Sequence, residues 1–233
     1  MNTIASAVAT QVPQWKPLHP TIQPNGEHVY PKSDFHYVND VPLKNADGTY
    51  NAVVEIGAGH TAKIETGKDG HFKHDHKKGA PRFINFLPYP ADYGYLPQTW
   101  SDPKRQDHAG HLGDGDPIDT VVLNAHPHPT GAIQKVRVIG GLEFVDNNER
   151  DTKIIAVPVE EPSPFKGIET IQELYQNFAG TVEMLSMWFS NYKNTREGVY
   201  VKGMLTREEA EKALDEAHAD WHHSPYKHFN KNA

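Results

Sequence analysis

The chain has 233 residues, enough for one domain with a sizeable core, and its 37% hydrophobic and 23% charged residues are those of an ordinary globular protein. With 23 basic against 30 acidic side chains its formal charge is −7, the wrong sign for a protein that holds nucleic acid chiefly by neutralising phosphates. It has no cysteine, which excludes disulfides and thiolate metal sites and leaves oxygen and imidazole as the available metal ligands.

At the N-terminus, Ile4 to Val8 are mainly apolar and Ala7-Val8-Ala9 has the small residues of a cleavage site, but no Lys or Arg precedes them, so a frayed terminus is expected. No run approaches the ~18 apolar residues of a spanning helix, so a cytoplasmic protein without a membrane partner is expected. Five prolines from Pro13 to Pro31 break any periodic pattern and predict an extended arm over residues 1–48.

The core is expected over residues 49–205. Asn51 to Ile56 and Ala62 to Glu65 are short, β-branched runs joined by Gly57-Ala58-Gly59 and read as a hairpin. After a polar loop from Gly67 to Gly79, strand pieces are predicted at Arg82 to Leu87, Gly94 to Leu96, Ile118 to Leu123, Lys135 to Phe144 and Thr152 to Val159. Short strands in succession with Gly, Pro and Asp turns point to a mainly β, α+β fold built on a small closed barrel. From Ile168 the apolar period lengthens toward 3.6. Ile168, Ile171 and Leu174-Tyr175 form one helical stripe, and Met184, Leu185, Trp188, Phe189 and Tyr192 form another. Gly198 to Leu205 returns to strand character. Thr206-x-x-Glu209 is a capping box opening a last helix within residues 206–233, with Ala210, Ala213, Leu214, Ala217 and Trp221 on its buried face.

Three carboxylates fall within Asp114-Gly115-Asp116-Pro117-Ile118-Asp119, just before an apolar strand. Such crowding suits a hard divalent cation such as Mg²⁺, which takes oxygen ligands and completes its shell with water and phosphate oxygens. An EF-hand is excluded, because Ile118 stands where its third ligand belongs and Asp119 where its glycine belongs. Asp146 and Asp151 bracket a second turn, and Lys153 shares a strand face with Asp151. Carboxylates from two such junctions at one barrel mouth could bridge two metals about 3.5–4 Å apart. Gly57 to Lys63 is not a phosphate-binding P-loop, having neither the G-x-x-x-x-G-K-[ST] pattern nor a following helix. The His-rich tracts are read as solvated loops.

Asp-Gly-Asp-Pro-Ile-Asp followed by Thr120-Val121-Val122 resembles the signature of the soluble, type-I inorganic pyrophosphatases. Further elements of the pattern follow in order: Glu55, Lys63 with Glu65, Arg82, the segment Tyr89 to Tyr95, Asp146 with Asp151 and Lys153, and Tyr192-Lys193. One departure is Asn147, where many members carry an acid. The resemblance implies a five-stranded, oligonucleotide-binding-like barrel with flanking helices that hydrolyses pyrophosphate with several Mg²⁺ ions, in a homo-oligomer. It implies Asp114, Asp119, Asp146 and Asp151 as metal ligands and Asp116 as base for a metal-bridging water. Tyr89 is the implied proton donor, and Lys63, Arg82, Tyr93, Lys153, Tyr192 and Lys193 are the implied phosphate contacts. Two other classes stay open on the residues alone: an oligonucleotide-binding barrel and a structural calcium-binding protein.

Overall fold

A computed structural model describes residues 18–160, 162–193 and 199–229. The stretch Ile4 to Val8, the first two prolines and Gly198 lie outside them. In chain order the elements are β1 (Thr21–Ile22), β2 (His28–Val29), α1 (Tyr37–Asp40), β3 (Tyr50–Ile56), β4 (Ile64–Thr66), β5 (Phe72–His74), β6 (His76–Lys77), β7 (Ala80–Pro81), β8 (Asp92–Tyr95), β9 (Leu112–Gly113) and β10 (Asp119–Val122). After these come β11 (Ile133–Asp146), β12 (Glu149–Pro158), α2 (Ile171–Asn177), α3 (Thr181–Asn191), β13 (Val199–Leu205) and α4 (Arg207–Trp221).

The fold is mainly β with few helices, dominated by one mixed sheet in the order β13-β11-β3-β8-β10-β12-β9, in which β11 also pairs with β12. The predicted hairpin between 51–56 and 62–65 is not formed. β3 pairs with β11 and β8, while β4 pairs with β5. All seven residues of β3 are buried, so its register is set by burial between two long-range neighbours, not by the nearest glycine turn. Arg82 to Leu87 is not a strand either. Within it only Phe83 makes a bridge, to Ala62, and residues 85–88 are exposed. The polar loop from Gly67 to Gly79 contains β5 and β6, and the expected extended arm contains the β1–β2 hairpin and the single-turn α1.

Glycine is required where β8 crosses β3, because a Cβ on Gly94 would sit 1.9 Å from the Val53 carbonyl oxygen. The β11–β12 turn is made by Asn147 and Asn148, with φ of 49° and 70°. Two successive left-handed residues are what a two-residue type I′ hairpin needs, and Asn tolerates them better than an acidic side chain flanked by others would. The turn pairs Asp146 with Glu149.

Helices cover the sheet by most of the stripes read in the sequence, but Ile168 lies before α2, and Tyr175 and Met184, one position off the buried line of each helix, are exposed. Ile171 and Leu174 of α2 and Leu185, Trp188 and Phe189 of α3 share a core with Ile139, Leu142 and Phe144 of β11. Ala210, Leu214 and Ala217 of α4 pack with Tyr50, Ala52, Val136 and Val138. The capping box of α4 forms in both directions, Thr206 Oγ1 accepting from the Glu209 amide at 3.2 Å and Glu209 Oε2 accepting from the Thr206 amide at 2.8 Å. Such a cap stabilises a helix by about 1 kcal/mol.

Candidate active site

The acidic turn is held against the segment before β9. Gly115 donates its N–H to the Ser101 carbonyl and the Ser101 N–H donates to the Asp116 carbonyl, both at 2.9 Å. Trp100 Nε1 donates to the Gly115 carbonyl at 2.9 Å, and the Ile118 N–H donates to Thr99 Oγ1 at 2.9 Å. Thr99, Trp100 and Ser101 thus form a rigid wall behind three carboxylates that would otherwise repel one another. Gly115, with φ +84°, makes the bend.

Strand pairing brings the second group of residues to this turn. Asp119 lies opposite Lys153 on one side and Tyr95 on the other. Lys153 is 1% exposed, and its Nζ donates to Asp119 Oδ2 at 2.7 Å and to Asp151 Oδ1 at 2.8 Å. Tyr93, two residues before Tyr95 and therefore on the same face, donates its hydroxyl to Asp119 Oδ2 at 2.5 Å. Past α3, Lys193 forms an ion pair with Asp146. Arg82 Nη1 donates to Asp75 Oδ2 at 2.9 Å, and Lys63 Nζ lies 3.5 Å from Glu65 Oε1 and 5.4 Å from the Tyr93 ring centroid.

These side chains line one polar cleft of about 330 Å³. Every candidate site residue singled out in the sequence lines it except Tyr89, which is buried, 2% exposed, with its ring centroid 5.1 Å from Tyr93 and 4.6 Å from Trp188. Glu149, Lys73, Lys68 and Tyr226 also line the cleft and were missed. Glu149 was legible, since the two-residue period linking Asp151 to Lys153 extends back to it. Tyr226 had no signal, because only folding carries the segment after α4 to the turn.

Charge in the cleft is incompletely balanced. Burial, and then the neighbouring Asp119, pushes the Asp114 carboxyl well above the ordinary carboxylate range. Burial also raises Asp151, against the opposing effect of Lys153. Desolvation raises Asp116 too, although this side chain stands open at the cleft mouth. For Lys153 burial opposes the charge, but Asp119 and Asp151 outweigh it and keep the ammonium charged. Lys193 is shifted down by burial and by the cations Arg82 and Lys63. Glu55, 7% exposed and accepting the Thr66 N–H at 2.6 Å, is pushed up by burial to about 8.

Carboxylates that share too few cations, with oxygen as their only donor atom, fit a hard divalent metal. Among the described residues no three acidic or imidazole groups already stand close enough together to hold an ion. Lys153 Nζ sits between Asp119 and Asp151, so bringing those two oxygens to one ion requires it to shift.

A model of the inorganic pyrophosphatase family matches residues 52–222, which include the acidic turn, Arg82, Lys153 and Lys193. The chain belongs to the inorganic pyrophosphatase family. It is 36% identical over 178 residues to the inorganic pyrophosphatase of Mus musculus, covering 72% of this chain and 58% of that one. Among solved structures it is similar to the inorganic pyrophosphatase of Schistosoma japonicum, with a TM-score of 0.74 and 31% identity over 80% of this chain and 71% of that one. An N-terminally truncated vacuolar soluble pyrophosphatase of Trypanosoma cruzi, solved in complex with PPi, matches with a TM-score of 0.74 and 25% identity over 96% of both chains. The chain spans about half the length of the curated relatives it matches. Tyr226 lies outside the matched residues.

Proposed function

We propose that this chain hydrolyses inorganic pyrophosphate to two orthophosphates, with Mg²⁺ as its divalent cofactor and Asp116 as the base. The observation that carries the reading is the meeting of five aspartates, Asp114, Asp116, Asp119, Asp146 and Asp151, with Lys63, Arg82, Lys153 and Lys193 in one cleft of a family-matched chain. Pyrophosphate needs cations along its oxygens and a charge-neutralised path for the attacking water, and phosphoryl transfer is chiefly such positioning.

Asp114, Asp119, Asp146 and Asp151 would hold the metals, which when bound neutralise phosphate charge and acidify a water. Asp116 would accept the attacking water's proton; its exposed position lining the cleft supports the role, since it is not paired with Lys153 as Asp119 and Asp151 are. Arg82 and Lys63, each oriented by one acidic partner, and Lys153 and Lys193 hold phosphate oxygens, with the Tyr93 and Tyr192 hydroxyls beside them. Tyr89, packed against the Tyr93 ring, is the proton donor to the leaving phosphate in this reading.

The circuit of strand pairings β11–β3–β8–β10–β12 and back to β11 supports reading the sheet as a five-stranded, oligonucleotide-binding-like closed barrel, with the cleft at one mouth. A homo-oligomer is part of the reading, supported by the exposed Tyr200, Val201 and Met204 on the outermost strand β13. So is residence in the cytoplasm: among the described residues no helix is long and apolar enough to cross a membrane. Purified protein with Mg²⁺ and pyrophosphate is expected to release orthophosphate and to stop when a chelator is added. No release in a metal-replete assay would overturn the proposal.

A further inference from the structure

The segment after α4 is tied down from both sides. Trp221 Nε1 donates to Asn39 Oδ1 at 2.9 Å, and Asn39 Nδ2 donates to the Tyr226 carbonyl at 2.7 Å, so one side chain of α1 clamps the segment at two points. Between the clamps the Ser224 N–H donates to the Trp221 carbonyl at 2.9 Å, and just past Tyr226 the Lys227 Nζ lies 4.2 Å from the centre of the Trp221 ring. The result is that Tyr226 is 1% exposed, yet its hydroxyl reaches the cleft and donates to Asp116 Oδ1 at 3.0 Å.

Asp116 is held rigidly in its backbone and loosely in its side chain. Its carbonyl accepts from the Ser101 N–H at 2.9 Å and its own N–H donates to Asp114 Oδ1 at 3.1 Å. Its carboxyl stands in solvent at the mouth, where an aspartate samples several rotamers unless something selects one. Tyr226 engages Oδ1, and Asp116 lines the cleft.

We propose that Tyr226 is a positioning residue for the reaction: it selects the rotamer of Asp116 in which Oδ2 is aimed at the attacking water. This rests on the reading of Asp116 as the base. Proton transfer tolerates little error in donor–acceptor placement, and a displacement near 1 Å can cost about a hundredfold in rate. The segment that supplies Tyr226 lies outside the family-matched residues.

The test is a kinetic cycle in the full chain with Mg²⁺ and pyrophosphate. Tyr226→Phe keeps the packed ring and removes only the hydroxyl. It is expected to lower kcat roughly ten- to a hundredfold with KM within about twofold, because Tyr226 acts through the base and not on the substrate. In an Asp116→Asn background the same substitution is expected to change kcat by less than about twofold, since there is no carboxylate left to aim. A merely structural role would instead multiply the two losses. Asn39→Ala, which releases the clamp, is the second variant and should lower kcat in the same way, again only while Asp116 is present. A crystal structure of Tyr226→Phe is expected to show the Asp116 carboxyl in more than one rotamer. Wild-type kcat in Tyr226→Phe, a loss that persists undiminished beside Asp116→Asn, or an unchanged single Asp116 rotamer would overturn the inference while leaving the pyrophosphatase reading intact. A wild-type chain that releases no phosphate would overturn both.

Discussion

Lys153→Met separates the electrostatic role of this side chain from its bulk. The aliphatic stem is largely retained, so little cavity forms, but the ammonium that pairs with Asp119 at 2.7 Å and Asp151 at 2.8 Å is lost from a residue only 1% exposed. Removing one partner of a buried ion pair costs about 3–5 kcal/mol, because the carboxylates left behind stay desolvated and unpaired. For 233 residues, at about 2.1 cal/mol/K of unfolding entropy per residue, that is a fall in Tm of roughly 6–10 °C. The deficit should grow with pH. Asp151 is already raised by burial, and Lys153 is the group that opposes the rise. A carboxyl with a raised folded-state pKa contributes stability below its unfolded pKa and loses it as pH rises through the folded value. Differential scanning fluorimetry of metal-free wild type and variant from pH 5 to pH 8 measures both effects, and added Mg²⁺ should narrow the gap by replacing the missing charge. A variant within about 2 °C of wild type at pH 8 would refute this electrostatic account of Lys153.

Four further outcomes are expected. Glu55→Gln keeps an acceptor for the Thr66 N–H but removes a buried acid pushed up to about 8, so it should stabilise the metal-free protein at pH 8 and flatten the decline in wild-type stability between the unfolded value of about 4.5 and pH 8; urea unfolding at the two ends of that window reads this, and an unchanged slope would count against a titrating Glu55. Asp116→Asn should leave far-UV circular dichroism and Tm near wild type while turnover falls at least about a hundredfold, whereas Lys193→Ala should chiefly raise KM; wild-type turnover in the first, or unchanged kinetics in the second, would reject the assigned roles. Gly94→Ala should fail to give soluble folded protein, because its Cβ would meet the Val53 carbonyl at 1.9 Å; a well-folded variant would mean that β3 and β8 can separate at little cost.

What could be read along the chain is what local chemistry controls. The stripes of α2, α3 and α4 follow the 3.6-residue period, the Thr206–Glu209 cap is a four-residue pattern, and the carboxylates of Asp114 to Asp119 are adjacent by covalent structure. Much of the cleft lining was also legible, since the residues picked out by type and order line it except Tyr89, but Glu149, Lys68, Lys73 and Tyr226 were missed. Strand partners were not legible. Gly57-Ala58-Gly59 offered a local turn between β3 and 62–65, but a fully buried strand gains more from β8 and β11 on either side than from the nearest run in sequence.

Composition and local pattern therefore determined the helices, the acidic turn and the roster of charged groups, because those depend on neighbours within a few residues. Tertiary structure decided the pairings that set Lys153 between Asp119 and Asp151, the brace of Thr99 to Ser101 behind the acidic turn, and the approach of Tyr226 to Asp116 across 110 positions of chain. The reason is that contacts between distant residues are selected by burial and steric fit over the whole molecule, and no local period encodes them.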